Sequence, residues 1–451
     1  MKSRLKNKDQ VFIAILFHIG LGIVAYLFRP IMMLYLAAII PYFLLRIVNS
    51  TPNNRVKEVL IAAAYVAGAE VFFRMTKAYF LYETGKYLVI FFIVIGLFYD
   101  GFKNKAYPYV LFLLLLIPAI LVSYENISYD VNFRKAVLFN LSGPLCLAFV
   151  SIYTYGKTLT YKDLLSVLNF VVYPIIAMTV YVILYRPDLR DTITNTASSS
   201  AASGGYGPNQ VATALGLGIF ILFSRLLIPY TKKGVHYLMM GFLVLMTFRG
   251  VLTFARGGIL TAVIMIVAFL IIYFSYTSLK SKGSTILKLV GVVGVVGLIW
   301  MMSLAQTSGL IENRYTNKDA LGREKGDIST GRVKLISTEI EAFKTNPFLG
   351  IGVGQVKSYF IREIGISLPT HNEVTRMLSE HGLFGVFALM ILIIVPIFNN
   401  PLGLKNIYFY PLLLFWLLTI SHSSMRIAAP AFIYGLSLIT ITREKKDSTH
   451  R

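Results

Sequence analysis

The densest set of reactive side chains in the sequence is Pro369-Thr-His-Asn-Glu-Val-Thr-Arg-Met-Leu-Ser-Glu-His-Gly382. Thr370 and Glu373 stand at capping-box spacing ahead of an apolar run, which predicts a helix start with His371 in its first turn. The positive end of a helix dipole disfavours imidazolium, so His371 is expected to be neutral near neutral pH and able to act as a general base. A histidine that simply sits at a membrane interface fits the same spacing. Glu373, Arg376 and Glu380 lie three and four residues apart on one helical face and can satisfy each other. Glu380 and His381 fall further into the apolar run, where packing explains them as well as catalysis does.

Anion chemistry has its own candidates. Arg249 and Arg256 flank a helix junction in Thr247-Phe-Arg-Gly-Val-Leu-Thr-Phe-Ala-Arg-Gly-Gly258, with glycines beside each that would admit a ligand to the backbone. Arg332, in Gly331-Arg-Val, opens an expected helix, where a cation opposes the dipole. A bound phosphate there would be met by the guanidinium and the free N–H groups together, although an ordinary solvated arginine also fits. Arg29, Arg74, Lys77, Lys86 and Arg426 sit near helix ends and are expected to snorkel to the headgroups.

Other chemistries find little support. The six histidines, at positions 18, 236, 371, 381, 422 and 450, form no HxxxH pair, and Cys146 is the single cysteine, so no metal site, disulfide or cofactor is expected. Ser421-His-Ser-Ser424 lacks a nucleophile-elbow glycine pattern. Asn346-Pro-Phe-Leu-Gly-Ile-Gly-Val-Gly354 lacks nucleotide-loop spacing and is read as a tight turn at the membrane surface.

The elements that must position these residues are membrane helices. Of 451 residues 56% are hydrophobic and 14% charged, which excludes soluble multidomain folds. A bilayer core about 30 Å thick needs roughly 20 apolar residues per crossing, and about twelve to fourteen such runs occur between Val11 and Ile441. The expected fold class is all-α and polytopic, with membrane helices over 1–304, an external loop over 305–371, and further helices and a tail over 372–451. No cleavable leader precedes Val11. Placing the N-terminus in the cytoplasm also puts Lys103, Lys105, Lys232, Lys233, Lys280, Lys282, Lys288, Lys405, Arg443, Lys445 and Lys446 there, in accord with the positive-inside rule. Both termini are then cytoplasmic and the outer face stays basic. Ala197-Ser-Ser-Ser-Ala-Ala-Ser-Gly-Gly205 suits a mobile external loop. Val333, Ile336, Ile340 and Phe343 recur at helical spacing and predict an amphipathic helix on the outer leaflet. Asn126-Ile-Ser128 matches a glycosylation sequon that arises by chance at this length.

The order of Ala255-Arg-Gly-Gly258, Gly331-Arg332, Asn346-Pro-Phe-Leu-Gly-Ile-Gly352, and His371-Asn372 with Glu380, Gly382 and Gly385 resembles the O-antigen ligase and polymerase superfamily. Pro208-Asn-Gln-Val-Ala212 is similar to that family's Pro-Asn-x-x-Ala helix start. The resemblance implies a bacterial inner-membrane enzyme of GT-C type that moves a glycan from undecaprenyl pyrophosphate to an acceptor hydroxyl on the periplasmic side, with inversion and without metal or nucleotide. It implies that His371 deprotonates or orients the acceptor while Arg256 and Arg332 stabilise the leaving pyrophosphate, with Arg249 and Arg376 as further phosphate contacts. The implied partners are that lipid-linked donor, a glycan or lipid A-core-type acceptor and membrane lipids, with no nucleic acid. Ligase and polymerase are not separated by these motifs. A polysaccharide flippase is the competing reading, and it would show internal repeats and charged or broken helices near mid-membrane.

Overall fold

The computed structural model describes residues 2–126, 132–186, 193–228, 233–327, 331–399 and 406–442. Its helices are α1 (Lys2–Leu27), α2 (Ile31–Val48), α3 (Pro52–Met75), α4 (Thr84–Asp100), α5 (Tyr107–Leu115), α6 (Ile117–Asn126), α7 (Phe133–Thr154), α8 (Tyr161–Tyr185) and α9 (Pro208–Leu227). There follow α10 (Lys233–Leu252), α11 (Arg256–Tyr276), α12 (Leu279–Gln306), α13 (Leu310–Tyr315), α14 (Arg332–Thr345), α15 (Val356–Ile364), α16 (Glu373–Asn399), α17 (Phe409–Ser423) and α18 (Ala428–Ser437). Every apolar run expected from the sequence falls on a helix. Among the described residues ten helical segments are long and apolar enough to cross a membrane, and α17 and α18 are shorter apolar helices. The protein is an all-α, multi-pass membrane protein. Ser128, Lys232, Lys405, Arg443, Lys445 and Lys446, invoked above for the sequon and for sidedness, lie outside the described residues.

Burial follows helix composition. The window of α9 is wholly enclosed, packed between α10 and α11, and buries Gln210, Thr213, Ser224 and Arg225 along with its apolar residues. α3 is likewise buried from Val59 to Met75 and packs on α8, where a methyl on Gly68 would come 2.2 Å from the Val171 carbonyl oxygen. α12 packs mainly on α10 and leaves most of its surface outward, as a lipid-facing helix does. α5 and α6 split one span at Leu116, because Pro118 has no N–H to give to the carbonyl one turn back.

The two ends of the bundle differ. At one, Lys57 pairs with Asp163, Tyr153 donates to Asp100, and two short parallel strands, β1 (Thr158–Thr160) and β2 (Thr440–Thr442), pair in register. The other end carries the α10–α11 junction and α13, α14 and α15. There the run 197–205 folds inward rather than standing off as a mobile loop. Ala202 and Ser203 are fully buried, Ser199 N–H donates to the Thr253 carbonyl, and the small side chains fit because the space is tight.

Two expectations for the long loop change. α14 forms, but its buried face is Leu335, Thr338, Glu339 and Ala342 against α16, while Val333 is 63% exposed. Thr375 of α16 donates a hydrogen bond to Glu339, which seats one polar side chain on that buried face, while Ile336 and Phe343 of the expected stripe are half-buried and Ile340 is exposed. The Asn346–Gly354 turn keeps Asn346–Leu349 on the surface, as expected, and inserts Gly350–Val353 into a break in α16. α16 kinks at Gly382 (φ 59°), and the exposed backbone is satisfied by Ile351 N–H donating to the Ser379 carbonyl and Leu383 N–H to the Pro347 carbonyl. A Cβ on Gly350 or Gly382 would collide with backbone, so the glycines serve this contact.

Candidate active site

The site forms where α11, α14 and α16 begin. At the α10–α11 junction Phe254 turns with φ 59°, a strained conformation for a bulky residue, and so delivers Arg256 to the first position of α11. Two donors answer the Phe254 carbonyl: Arg314 Nε at 3.0 Å and the Ser198 hydroxyl at 3.4 Å. Arg256 Nη1 donates to the Arg314 carbonyl at 3.2 Å, joining the start of α11 to α13. The glycines after Arg256 do not open the backbone to a ligand. A Cβ on Gly257 would lie 2.4 Å from the His422 ring, and one on Gly258 would lie 2.3 Å from the Ala212 backbone, so they let α11 touch α17 and α9.

His371 stands just outside its helix instead of in the first turn. The cap is Asn372, whose Oδ1 accepts from the N–H groups of Val374 and Thr375, while Thr370 Oγ1 closes a local turn with Asn372. Asn caps as well as Thr does, and it lies nearer the first helical residue. Arg426 Nη2 donates to the Thr370 carbonyl at 2.6 Å, holding the residue before His371. The His371 ring is half-buried, and Nδ1 has no protein partner.

Charge explains the character of the site. Burial, followed by the positive charges of Arg426 and Arg332, depresses the His371 pKa to about 4, against the weaker effect of a hydrogen bond to the Pro369 carbonyl. Arg314 and Arg332 are also held below the usual arginine range, first by burial and then by neighbouring arginines: Arg256 and Arg332 act on Arg314, and Arg256 acts on Arg332. Arg332 and Arg426 therefore face His371, and Arg256 and Arg314 neighbour Arg332 in turn. An anion entering this cluster relieves repulsion as well as gaining attraction. The N-termini of α11, α14 and α16 add their partial positive charge.

Two arginines grouped with these in the sequence reading have other work. Arg249 is 1% exposed, and its guanidinium spans the Val182 and Arg186 carbonyls at 2.6–3.1 Å, which closes the C-terminal end of α8. Arg376 is enclosed between Glu373 and Glu380, as their spacing predicts, and also donates to the Asn140 carbonyl. Neither is brought into the cluster around His371.

Helix-end cations also divide. Arg29 stays exposed over the Tyr181 and Tyr185 rings, as an interfacial residue does. Arg74 and Lys86 do not snorkel. Arg74 reaches Glu70 at 2.6 Å and Glu83 at 3.1 Å, Lys86 bonds Ser142 at 2.9 Å, and Glu70 accepts from the first N–H of α18. Their carboxylate partners make burial tolerable. Arg426 and Arg314 were not legible as site residues. Arg426 looks like any helix-end cation, and Arg314 belongs to no motif. Among the described residues no three histidine, cysteine or carboxylate side chains converge where a metal ion could sit.

The O-antigen ligase family model matches residues 241–390, a segment holding Arg256, Arg314, Arg332 and His371. That match supports the O-antigen ligase and polymerase superfamily for this segment. A comparison with curated proteins returns no match. The ligase-family segment runs from α10 to the middle of α16, yet Arg426 and the α7 wall beside Arg376 come from outside it. The candidate site thus also draws on α7 and on the turn before α18, both outside the matched segment.

Proposed function

We propose that the chain is a glycosyltransferase of the bacterial inner membrane, with cytoplasmic termini, that moves a glycan from undecaprenyl pyrophosphate to an acceptor hydroxyl on the periplasmic side. The observation that carries this reading is the grouping of Arg256, Arg314 and Arg332, with Arg332 and Arg426 acting on His371 and holding its pKa low. His371 takes the proton of the acceptor hydroxyl through an unprotonated ring nitrogen. The acceptor oxygen bonds to the anomeric carbon with inversion as the bond to the pyrophosphate oxygen breaks. The arginines hold the charge that grows on the departing lipid pyrophosphate, in the manner of bidentate guanidinium–phosphate pairs. The acceptor is a growing glycan or a lipid core, which distinguishes polymerase from ligase. Arg249 and Arg376 act in this scheme by holding α8 and α16 in place.

The test is replacement of His371 or Arg332 by Ala in the native host, with lipid-linked and surface glycans separated on a gel. Loss of long chains with single repeat units still attached indicates a polymerase. Accumulation of full-length lipid-linked glycan indicates a ligase. Wild-type glycans in both variants would sink the assignment.

A further inference from the structure

A cavity of about 430 Å³ opens next to the His371 segment. Its walls are the first turns of α7, the start of α15, the start of α16 and the turn Ser424–Arg426. It reaches Pro369 and Thr370, the two residues ahead of His371, and shares Arg426 with the arginine cluster, whereas Arg256, Arg314 and Arg332 do not line it. The cavity therefore lies beside the arginine cluster and meets it at Arg426, on the Pro369–Thr370 side of His371. Its volume lies within the range of roughly 300–1,000 Å³ found for small-molecule sites.

The lining carries an uncompensated charge. Arg376 is neutralised by Glu373 and Glu380, and Lys86 by Glu83. Lys135 and Lys357 line the cavity, are exposed, and make no ion pair among the described residues. With Arg426, and against the one carboxylate by which Glu373 and Glu380 outnumber Arg376, they leave a surplus of two cations. The remaining polar groups, including Asn140 and Ser358, supply amides and hydroxyls, and Phe139 offers an exposed aromatic ring. Ser424 is held at φ 53° with its hydroxyl buried and unpartnered on the same wall. A buried hydroxyl without a partner is costly unless something supplies the missing hydrogen bond.

Hydroxyls, amides and one aromatic face suit a sugar, and the cations select for negative charge. We infer that this cavity is the acceptor subsite and takes an acidic saccharide. The inference rests on the glycosyltransferase reading above. An inverting displacement brings nucleophile and leaving group to opposite sides of the anomeric carbon. A cavity that reaches Thr370, the residue before His371, but is not lined by Arg256, Arg314 or Arg332 meets that demand. Arg426, common to both compartments, ties the acceptor wall to the histidine that receives the proton.

The test uses the full chain in lipid nanodiscs and two probes, tetragalacturonate and its fully methyl-esterified, neutral counterpart. The acid binds, and the ester binds at least about tenfold more weakly. Reversing the rim with Lys135→Glu and Lys357→Glu together weakens the acid by about the same factor and leaves the ester unchanged. If that pair fails to fold, Lys135→Gln with Lys357→Gln gives the same reading at smaller amplitude. Equal affinity for acid and ester, or unchanged affinity in the folded lysine variants, overturns the inference. Inorganic pyrophosphate, measured on wild type and Arg256→Ala, reads the proposed function separately. Loss of pyrophosphate binding in the lysine variants would show that the two compartments are one and would also overturn it.

Discussion

Arg426 lies far from His371 in sequence, yet its Nη2 donates to the carbonyl of Thr370 at 2.6 Å and so holds the residue next to the proposed base. The same guanidinium charge helps to keep the His371 ring neutral. One side chain therefore sets both the position and the protonation of the histidine.

Replacing Arg426 by Ala frees the Thr370 carbonyl and loosens the His371 segment. Misplacing a catalytic group by an ångström costs on the order of a hundredfold in rate, and a loss of about that size in kcat is expected. Arg426→Lys, which keeps the charge but offers a single donor centre, falls between. Wild-type turnover in the Ala variant would show that the contact is dispensable.

The depressed His371 pKa fixes a pH profile. The free protein holds the base neutral down to about pH 4, so the acid limb of kcat/KM lies well below the ordinary histidine value of about 6.5. The same sign governs stability. With the folded pKa below the unfolded one, the contribution is present above the unfolded value and is lost as pH falls through the folded value. An acid limb at or above pH 6.5 in steady-state assays would contradict the site geometry.

Glu339 behaves in the opposite sense. Burial above all raises its pKa to about 7; the Thr370 and Thr375 hydroxyls and Arg376 lower it, and Glu380 raises it. Its contribution to stability is therefore full below the unfolded value of about 4.5 and is lost as pH rises through 7. Glu339→Gln mimics the neutral form and should unfold at a higher temperature than wild type at pH 8, with the gap narrowing toward pH 5. Thermal unfolding in detergent at the two pH values decides it, and a gap that widens on acidification rules out a buried, neutral Glu339.

Gly258→Ala places a methyl 2.3 Å from the Ala212 backbone, where neither helix can yield without moving. A loss of about 1–3 kcal/mol is expected from such overpacking. Gly294→Ala has nothing within 4 Å and lies mid-helix in α12, so it should be neutral or stabilising by up to about 1 kcal/mol. Comparing the two midpoints separates steric packing from helix propensity. Equal behaviour of the two variants would mean that α11 does not approach α9 as closely as described.

Hydropathy and spacing alone determined the membrane class, the helical runs, the pairing of Arg376 with Glu373 and Glu380, the helix opening at Arg332, and the neighbourhood of His371. These properties are local, because a run of apolar side chains or an i,i+4 pair is written in adjacent residues. Tertiary structure decided what each isolated charge does. It gave Arg249 to the end of α8, buried Arg74 and Lys86 with Glu70 and Glu83, capped α16 with Asn372, buried Glu339 of α14, brought Arg314 to Arg256 and Arg332, and brought Arg426 to the residue before His371. The physical reason is that a charge in a membrane protein is tolerable only with a partner or a polar opening, and the partner commonly stands on a helix far away in sequence.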